Sequence, residues 1–254
     1  MAYKKKTSVA DQKIESDIYF RYRKAQNRIL ETERLGTLHV SDLNSPCVRK
    51  VYYSKTSPKR EMDTESAKAL VFGQMLHKEL ILEPEGNEVT LAWDYVKDEP
   101  VDAVKLSKKL DPNDPKWYDI IIGTIDDLIT VGDDVVITDK KTTGSIDYFK
   151  KYGNASESHV SQINKYAVLL KKCKGIEATK GCVVYISSTM TKDQYDKPTI
   201  IPFDLADREE TEKEMIDQAK KIKEAMVNEI KPERTKCFLC DGMCPHATFC
   251  FDDD

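Results

Sequence analysis

"GTIDDLITVGDDVVITDKKT", residues 123 to 142, decides how this chain folds. Preceded by "YDIII", its first half is β-rich, "DVVITDKKT" is a second strand, and Gly132 with Asp133 joins the two as a hairpin. Side chains alternate along a strand, so Val135, Ile137, Asp139 and Lys141 share one face. Two apolar residues on that face give way to a carboxylate and an ammonium, which are costly to bury unless paired or bound to a metal. The hairpin sets Asp126 beside Asp139, and His77 lies on the inward stripe of an earlier helix that reaches the same place. Two carboxylates and an imidazole suit a divalent cation that keeps some of its waters, and Lys141 suits the charge of a phosphate or the activation of a water. That is chemistry for phosphodiester hydrolysis. Taken singly, Asp139 and Lys141 also read as a surface ion pair, His77 as a core histidine, and Asp126 with Asp127 as a strand end.

Outward from the hairpin, helices and strands follow one another without an internal repeat, a low-complexity stretch or a linker. Residues 8 to 34 carry Ile14, Ile18, Tyr22, Ala25 and Ile29 at helical spacing. "TLHVSDLNSPCVRKVYY" predicts a short extended piece, an N-cap at Ser41 or Asp42, and a helix entered near Pro46. Residues 63 to 82 predict a second helix, with Leu70, Gly73, His77 and Leu80 on its inward stripe. "NEVTLAWDYV" predicts a strand, "SESHVSQINKYAVLLKKC" a helix, "GCVVYISS" and "KPTIIPFDL" strands, and residues 206 to 229 a long charged helix. These elements predict an α/β fold around one core. Residues 1–36 are read as an N-terminal helical extension and 37–254 as the main domain, including a cysteine segment at 237–250.

With 254 residues and a net charge of −4, the chain is no bulk polybasic protein, although an acidic protein can still line one groove with lysines. Lys150, Lys151, Lys165, Lys171, Lys172 and Lys174 are candidates for phosphate contacts. No apolar run reaches membrane-spanning length and no secretory signal follows the basic start, which predicts a cytoplasmic protein with no membrane contact. In a reducing compartment its seven cysteines read as metal ligands, redox groups or packed thiols before disulfides.

"GQMLH", "GTID", "ITDKKT" and "QINKY" stand in that order along the chain. The order resembles the RecB-like branch of the PD-(D/E)XK nucleases, which show a helix histidine, a G-x-x-D strand, a D-x-K strand and a Q-x-x-x-Y helix. The resemblance runs from about residue 40 to 250 and implies a restriction-endonuclease-like core, with a mixed central sheet flanked by helices. It implies metal ligation by His77, Asp126, Asp139 and the carbonyl of Lys140, with Lys141 as the catalytic lysine. Gln162 and Tyr166, four apart and so on one helical face, match the motif beside the substrate strand. The implied activity is a Mg²⁺- or Mn²⁺-dependent deoxyribonuclease, an exonuclease on single-stranded DNA or DNA ends. Recombination, repair, CRISPR adaptation and viral DNA processing are all settings for it. No G-x-x-x-x-G-K-[ST] loop is present, so unwinding would fall to a helicase partner. The alternatives are a non-catalytic DNA-end-binding or assembly subunit and a zinc-stapled interaction protein.

"CFLCDGMCPHATFC", residues 237 to 250, places four cysteines in fourteen positions. AddB-type helicase-nucleases and CRISPR-associated exonucleases carry one cysteine before the nuclease core and three after it, together holding a [4Fe-4S] cluster. The resemblance to them implies Cys47, Cys237, Cys240 and Cys250 as ligands in a structural role, with Cys244 a possible substitute. The tail spacing here is C-x2-C-x3-C-x5-C where C-x2-C-x5-C is familiar, so a Zn²⁺ site made by the four tail cysteines, or with His246 replacing one, stays open. Cys173 and Cys182 read as packed thiols.

Overall fold

The computed structural model describes residues 37–56, 71–75, 77, 79–106, 114–188, 198–237, 240, 244, 246–247 and 250. The helix expected over 8–34 lies outside the described residues, as does Leu70. The chain divides into two compact units, Met1–Arg34 with Glu61–Glu79, and Leu35–Arg60 with Leu80–Asp254. In the first, the described residues of 71–79 are helical, His77 among them and half-buried. Leu80, expected on the same helix, lies past its end. Among the described residues no helix is long and apolar enough to cross a membrane.

The larger unit is built on a seven-stranded mixed sheet. Its elements are β1 (Leu38–His39), α1 (Val40–Leu43), α2 (Val48–Thr56), β2 (Asn87–Asp94), β3 (Glu99–Pro100), α3 (Ala103–Leu106), β4 (Ile120–Val131) and β5 (Asp134–Thr143). They continue with α4 (Ile146–Tyr152), α5 (Glu157–Lys174), β6 (Lys180–Ser187), β7 (Thr199–Asp204) and α6 (Arg208–Val227). The strand order is β3-β2-β4-β5-β6-β7, with β1 pairing alongside β4. β4 and β5 form the expected hairpin, closed at Val131↔Asp134, and Gly132 takes the positive φ of +63° that a two-residue hairpin turn requires. β5 and β6 run parallel and are joined through α4 and α5, since a parallel pair needs a crossover.

α5 lies over β2, β5 and β6, and α6 packs against α5 and α2. The core gathers Leu38, Leu91, Trp93, Ile121, Ile125, Ile137, Leu169 and Tyr185 with the inner face of α6 at Met215, Ala219 and Ile222. The glycine of "GTID" makes close packing possible. A Cβ at Gly123 would sit 2.8 to 2.9 Å from side-chain atoms of Tyr166, Leu169 and Val40, so α1 and α5 come down onto bare backbone there.

Two local expectations are corrected. α1 is capped by His39, whose N–H donates to Asp42 Oδ2 at 2.9 Å, so Ser41 and Asp42 lie inside the first turn. α4 was not expected, because seven residues mixing charges and aromatics give too short a window for helical periodicity. Gly153 ends it at φ +65°, donating to Phe149 O at 2.9 Å.

Gly123→Ala is expected to destabilise the protein by ~1–3 kcal/mol through overpacking. Urea unfolding checks this, as a lower midpoint at unchanged slope, and an unshifted midpoint would show that the α1–α5 contact yields freely.

Candidate active site where two strands part

The β4–β5 ladder runs from Val131↔Asp134 only to Asp127↔Thr138. Beyond it β5 continues beside β6, with Asp139↔Val183, Lys140↔Val184 and Lys141↔Tyr185 in register. β4 continues beside β2 and meets β1 at Ile121 and Ile122. Asp126 and Asp139 are therefore the first residues past the last ladder pair, at the mouth of a fork. The Asp126 carboxylate spans the gap that the ladder leaves, its Oδ2 accepting from Lys140 N–H at 2.7 Å. Asp139 is 2% exposed, and its Oδ2 lies 2.7 Å from Lys141 Nζ. Three of the expected residues thus come together: Asp126, Asp139 and Lys141. Alternation along β5 did not indicate that Thr138 and Lys140 are buried too, which follows from a central strand covered on both faces.

Asp127 and the Lys140 side chain form a second pair behind the fork. Sequence reading took Asp127 as a strand end and Lys140 for its carbonyl alone; both side chains are instead sealed, at 0% and 1% exposure. Lys140 Nζ lies 2.8 Å from Asp127 Oδ2 and donates to Leu80 O at 2.6 Å. Asp127 Oδ1 accepts from Leu82 N–H at 3.0 Å and Glu83 N–H at 3.3 Å. Each buried charge is thus paired and hydrogen-bonded, the condition for tolerating it.

The first turn of α5 borders the fork. Gln162 Nε2 donates to Tyr166 Oη at 2.7 Å, and Tyr166 is buried over Gly123. One turn before Gln162, His159 Nδ1 lies 2.8 Å from Tyr185 Oη, which also accepts from Ser156 N–H at 3.0 Å. Burial, and after it the Lys141 charge, holds the His159 imidazole down at about 4. Burial raises the Tyr185 phenol, and the Asp139 charge adds to it. His159 and Tyr185 therefore sense both members of the Asp139–Lys141 pair. Neither was singled out from sequence, although His159 precedes Gln162 by three and so shares its helical face.

Most of the expected phosphate-contacting lysines on α5 serve the fold. Lys165 is buried, donating to Asn44 Oδ1 at 3.3 Å and to Ser161, and burial pushes its ammonium down. Lys171 pairs with Glu177 at 2.9 Å. Lys172 pairs with Asp98 at 2.9 Å and Glu212 at 2.7 Å over the Trp93 ring. Lys150 and Lys151, on α4, are exposed.

The described residues contain no group of three His, Cys, Asp or Glu side chains arranged to hold a metal ion. Cys47, Cys237, Cys240, Cys244, Cys250 and His246 nevertheless line one pocket. Cys237 and Cys240 have their Sγ atoms 3.9 Å apart, and His246 turns Nε2 toward Ser54 Oγ at 3.1 Å. Cys173 donates to Ala92 O at 3.2 Å and Cys182 is buried, both as packed thiols.

The sequence pattern of the PD-(D/E)XK nuclease superfamily matches residues 52–251, and the chain belongs to that superfamily. Among solved structures, SSO0001 is similar over 92% of this chain and 95% of its own, with a TM-score of 0.53 and 16% identity, a likeness of fold alone. The alkaline exonuclease LHK-Exo from Laribacter hongkongensis is similar over 78% of this chain and 93% of its own, with a TM-score of 0.45 and 14% identity. A phage-related exonuclease from Haemophilus somnus 129PT is similar over 76% and 96%, with a TM-score of 0.31 and 15% identity. No curated protein matches the sequence.

An imidazole lowered from 6.5 to about 4 leaves the folded state short of a proton that the unfolded chain binds. Above pH 6.5 this has no effect; as pH falls from there toward about 4 the folded state loses stability progressively. His159→Asn should flatten that part of the stability profile, followed by urea unfolding at several pH values. Parallel profiles for the two proteins would mean that His159 takes its proton normally.

Proposed function

We propose that this member of the PD-(D/E)XK nuclease superfamily is a divalent-metal-dependent deoxyribonuclease acting on single-stranded DNA or DNA ends. The observation that carries the reading is the convergence of Asp126, Asp139 and Lys141 where β4 and β5 part. Two carboxylates are hard oxygen donors of the kind Mg²⁺ and Mn²⁺ prefer, and the superfamily generally uses divalent metals. Asp126, Asp139 and the Lys140 carbonyl would hold the cation. The Lys140 N–H points at Asp126, and because a strand residue presents both its backbone groups to one side, its carbonyl is aimed into the fork as well. His77 joins the ligand set on motif order alone. A cation bound there would activate a water and neutralise the scissile phosphate. Lys141, partly exposed beside Asp139, would place its ammonium on that phosphate. Gln162, anchored by Tyr166, would border the substrate strand. The preference for single strands and ends rests on the RecB-like resemblance, as does a helicase partner.

For the cysteine pocket we propose a [4Fe-4S] cluster held by Cys47, Cys237, Cys240 and Cys250, with Cys244 the possible substitute. Five thiols line one space, enough for the four thiolates such a cluster uses with one to spare, and Cys47 stands among them although the tail lies roughly two hundred residues away. Zinc held by the tail alone gives no reason for Cys47 to line the same pocket. The organisation proposed is a helical extension over 1–36 and a nuclease domain over 37–254 that ends in this staple.

End-labelled single- and double-stranded DNA, linear and circular, should be cut only with Mg²⁺ or Mn²⁺ added. Asp139→Ala should abolish cleavage, and Lys141→Ala should lower it by about 10²- to 10³-fold, with both proteins folded. Either variant cutting at the wild-type rate would remove the assignment.

Protein purified without oxygen should be brown, with iron and sulfide in near-equal amounts, and Cys47→Ser should bleach and destabilise it. Colourless protein with one zinc per chain, indifferent to Cys47→Ser, would make the tail a zinc site and leave the nuclease reading untouched.

A further inference from the structure

α4 starts five residues after Lys141, so its first residue is within ~18 Å of the fork even along extended chain. It presents two faces of opposite character. Inward, Ile146 is buried and the Phe149 ring stacks on Tyr185 at 3.7 Å and 10°. Tyr185 in turn contacts His159 and stands in register with Lys141, so α4 is fixed directly to the strand beside the candidate active site. Outward, Tyr148 is 58% exposed and Tyr152 is 53% exposed. They stand four residues apart on one helical face, with ring centroids 4.8 Å apart. By contrast Tyr53, Tyr95, Tyr166 and Tyr185 are all buried. Lys151 Nζ sits 5.1 Å over the Tyr152 ring, and Lys150 is exposed beside it.

We propose that Tyr148 and Tyr152 form a stacking platform for bases of the DNA single strand that leads to the fork, with Lys151 against its phosphates. The proposal rests on the nuclease reading for the presence of that strand. Ring faces paired with cations are how proteins hold single strands without sequence preference, because every base has a π-face. Charge favours a polyanion, since the helix carries Lys150 and Lys151 against Asp147. Patch size favours bases over a protein partner: the two rings are followed directly by the exposed polar end at Gly153 and Asn154, and among the described residues they open onto no continuous apolar groove for a helix or a strand. The rigid inward face matters as well, because a base stacked on Tyr148 is then registered against the strand that bears Lys141.

The test measures binding of a fluorescein-labelled oligothymidylate by anisotropy, without added divalent metal so that nothing is cut. Both tyrosines are exposed, so Y148A/Y152A should fold normally and bind about 5- to 150-fold more weakly. Y148F/Y152F, which keeps both ring faces, should bind within about twofold of wild type. Lys151→Ala should shallow the dependence of log affinity on log salt by about 0.7. Unchanged binding by the double alanine variant overturns the platform and is what a protein-docking face would give. An equal loss in the phenylalanine variant overturns stacking in favour of hydroxyl contacts. Wild-type cleavage with Mg²⁺ or Mn²⁺ is scored separately: tyrosine-dependent binding without any cleavage keeps the platform and removes the nuclease reading, and cleavage with tyrosine-independent binding does the reverse.

Discussion

Asp127, in the last pair that β4 and β5 make, forms a buried ion pair with Lys140, two residues past the end of that ladder, and the site depends on it. Taking two charges out of water is unfavourable enough that such a pair contributes little net stability, yet losing one partner strands the other at ~3–5 kcal/mol. Its importance is therefore one of position. Lys140 is gripped twice by consecutive residues of β4: its backbone N–H by Asp126 and its ammonium by Asp127. The two strands part, but their separation is held by side chains where backbone bonds have ended. Asp127 also accepts the N–H groups of Leu82 and Glu83, which ties the chain entering the 3-10 turn at Pro84–Gly86 to the base of the fork. Gly86 meets the backbone of Leu128 so closely that a Cβ would collide with its carbonyl, so the tie is tight in space as well as in charge.

Around the front of the fork the electrostatics are graded. Asp139 and Lys141 offset each other at 2.7 Å. His159, next along the Tyr185 contact, is kept neutral near pH 7 by burial and by Lys141, so it adds no second cation to crowd the lysine. On α5, Lys171 and Lys172 are committed to carboxylates and Lys165 is buried, so among the described residues these three do not add to the charge of Lys141 and of the exposed pair on α4.

The hairpin, the strands and the helices α5 and α6 were legible because they rest on period, turn chemistry and apolar runs, which are local properties, whereas the mixed order of the sheet came from the family resemblance. The convergence of Asp126 with Asp139 was legible for the same reason: a two-residue turn at Gly132 leaves only one register. The Asp127–Lys140 pair was not, because in "IDD" and "DKK" two adjacent like residues stand on opposite sides of a strand, and only tertiary cover tells which of them is sealed. Lys165 and Lys172 misled for a related reason. A lysine on a charged helix looks solvated until the partners Asn44, Asp98 and Glu212 arrive from distant parts of the chain. Tyr185 carried no polar pattern of its own, since it sits in the apolar run "GCVVYISS" and gains its role only through the α5 turn that meets it.

The cysteine pocket and the fork are joined through one short stretch of chain. β1 pairs with β4 at Ile121 and Ile122, on the edge that β5 abandons beyond Asp127. From β1 the chain passes through α1, where Val40 packs toward Gly123, and reaches Cys47 at the entry to α2. Lys55 on α2 closes the stretch on itself, pairing with Asp42 at 3.0 Å and donating to Thr37 O at 3.0 Å. The pocket that gathers the tail cysteines around Cys47 therefore bears on the segment that plugs the open edge of β4. The cluster proposed for that pocket would therefore act at a distance: by tying Cys47 to the tail it would hold the segment that pairs with β4, and with it the far wall of the fork, without taking part in the chemistry.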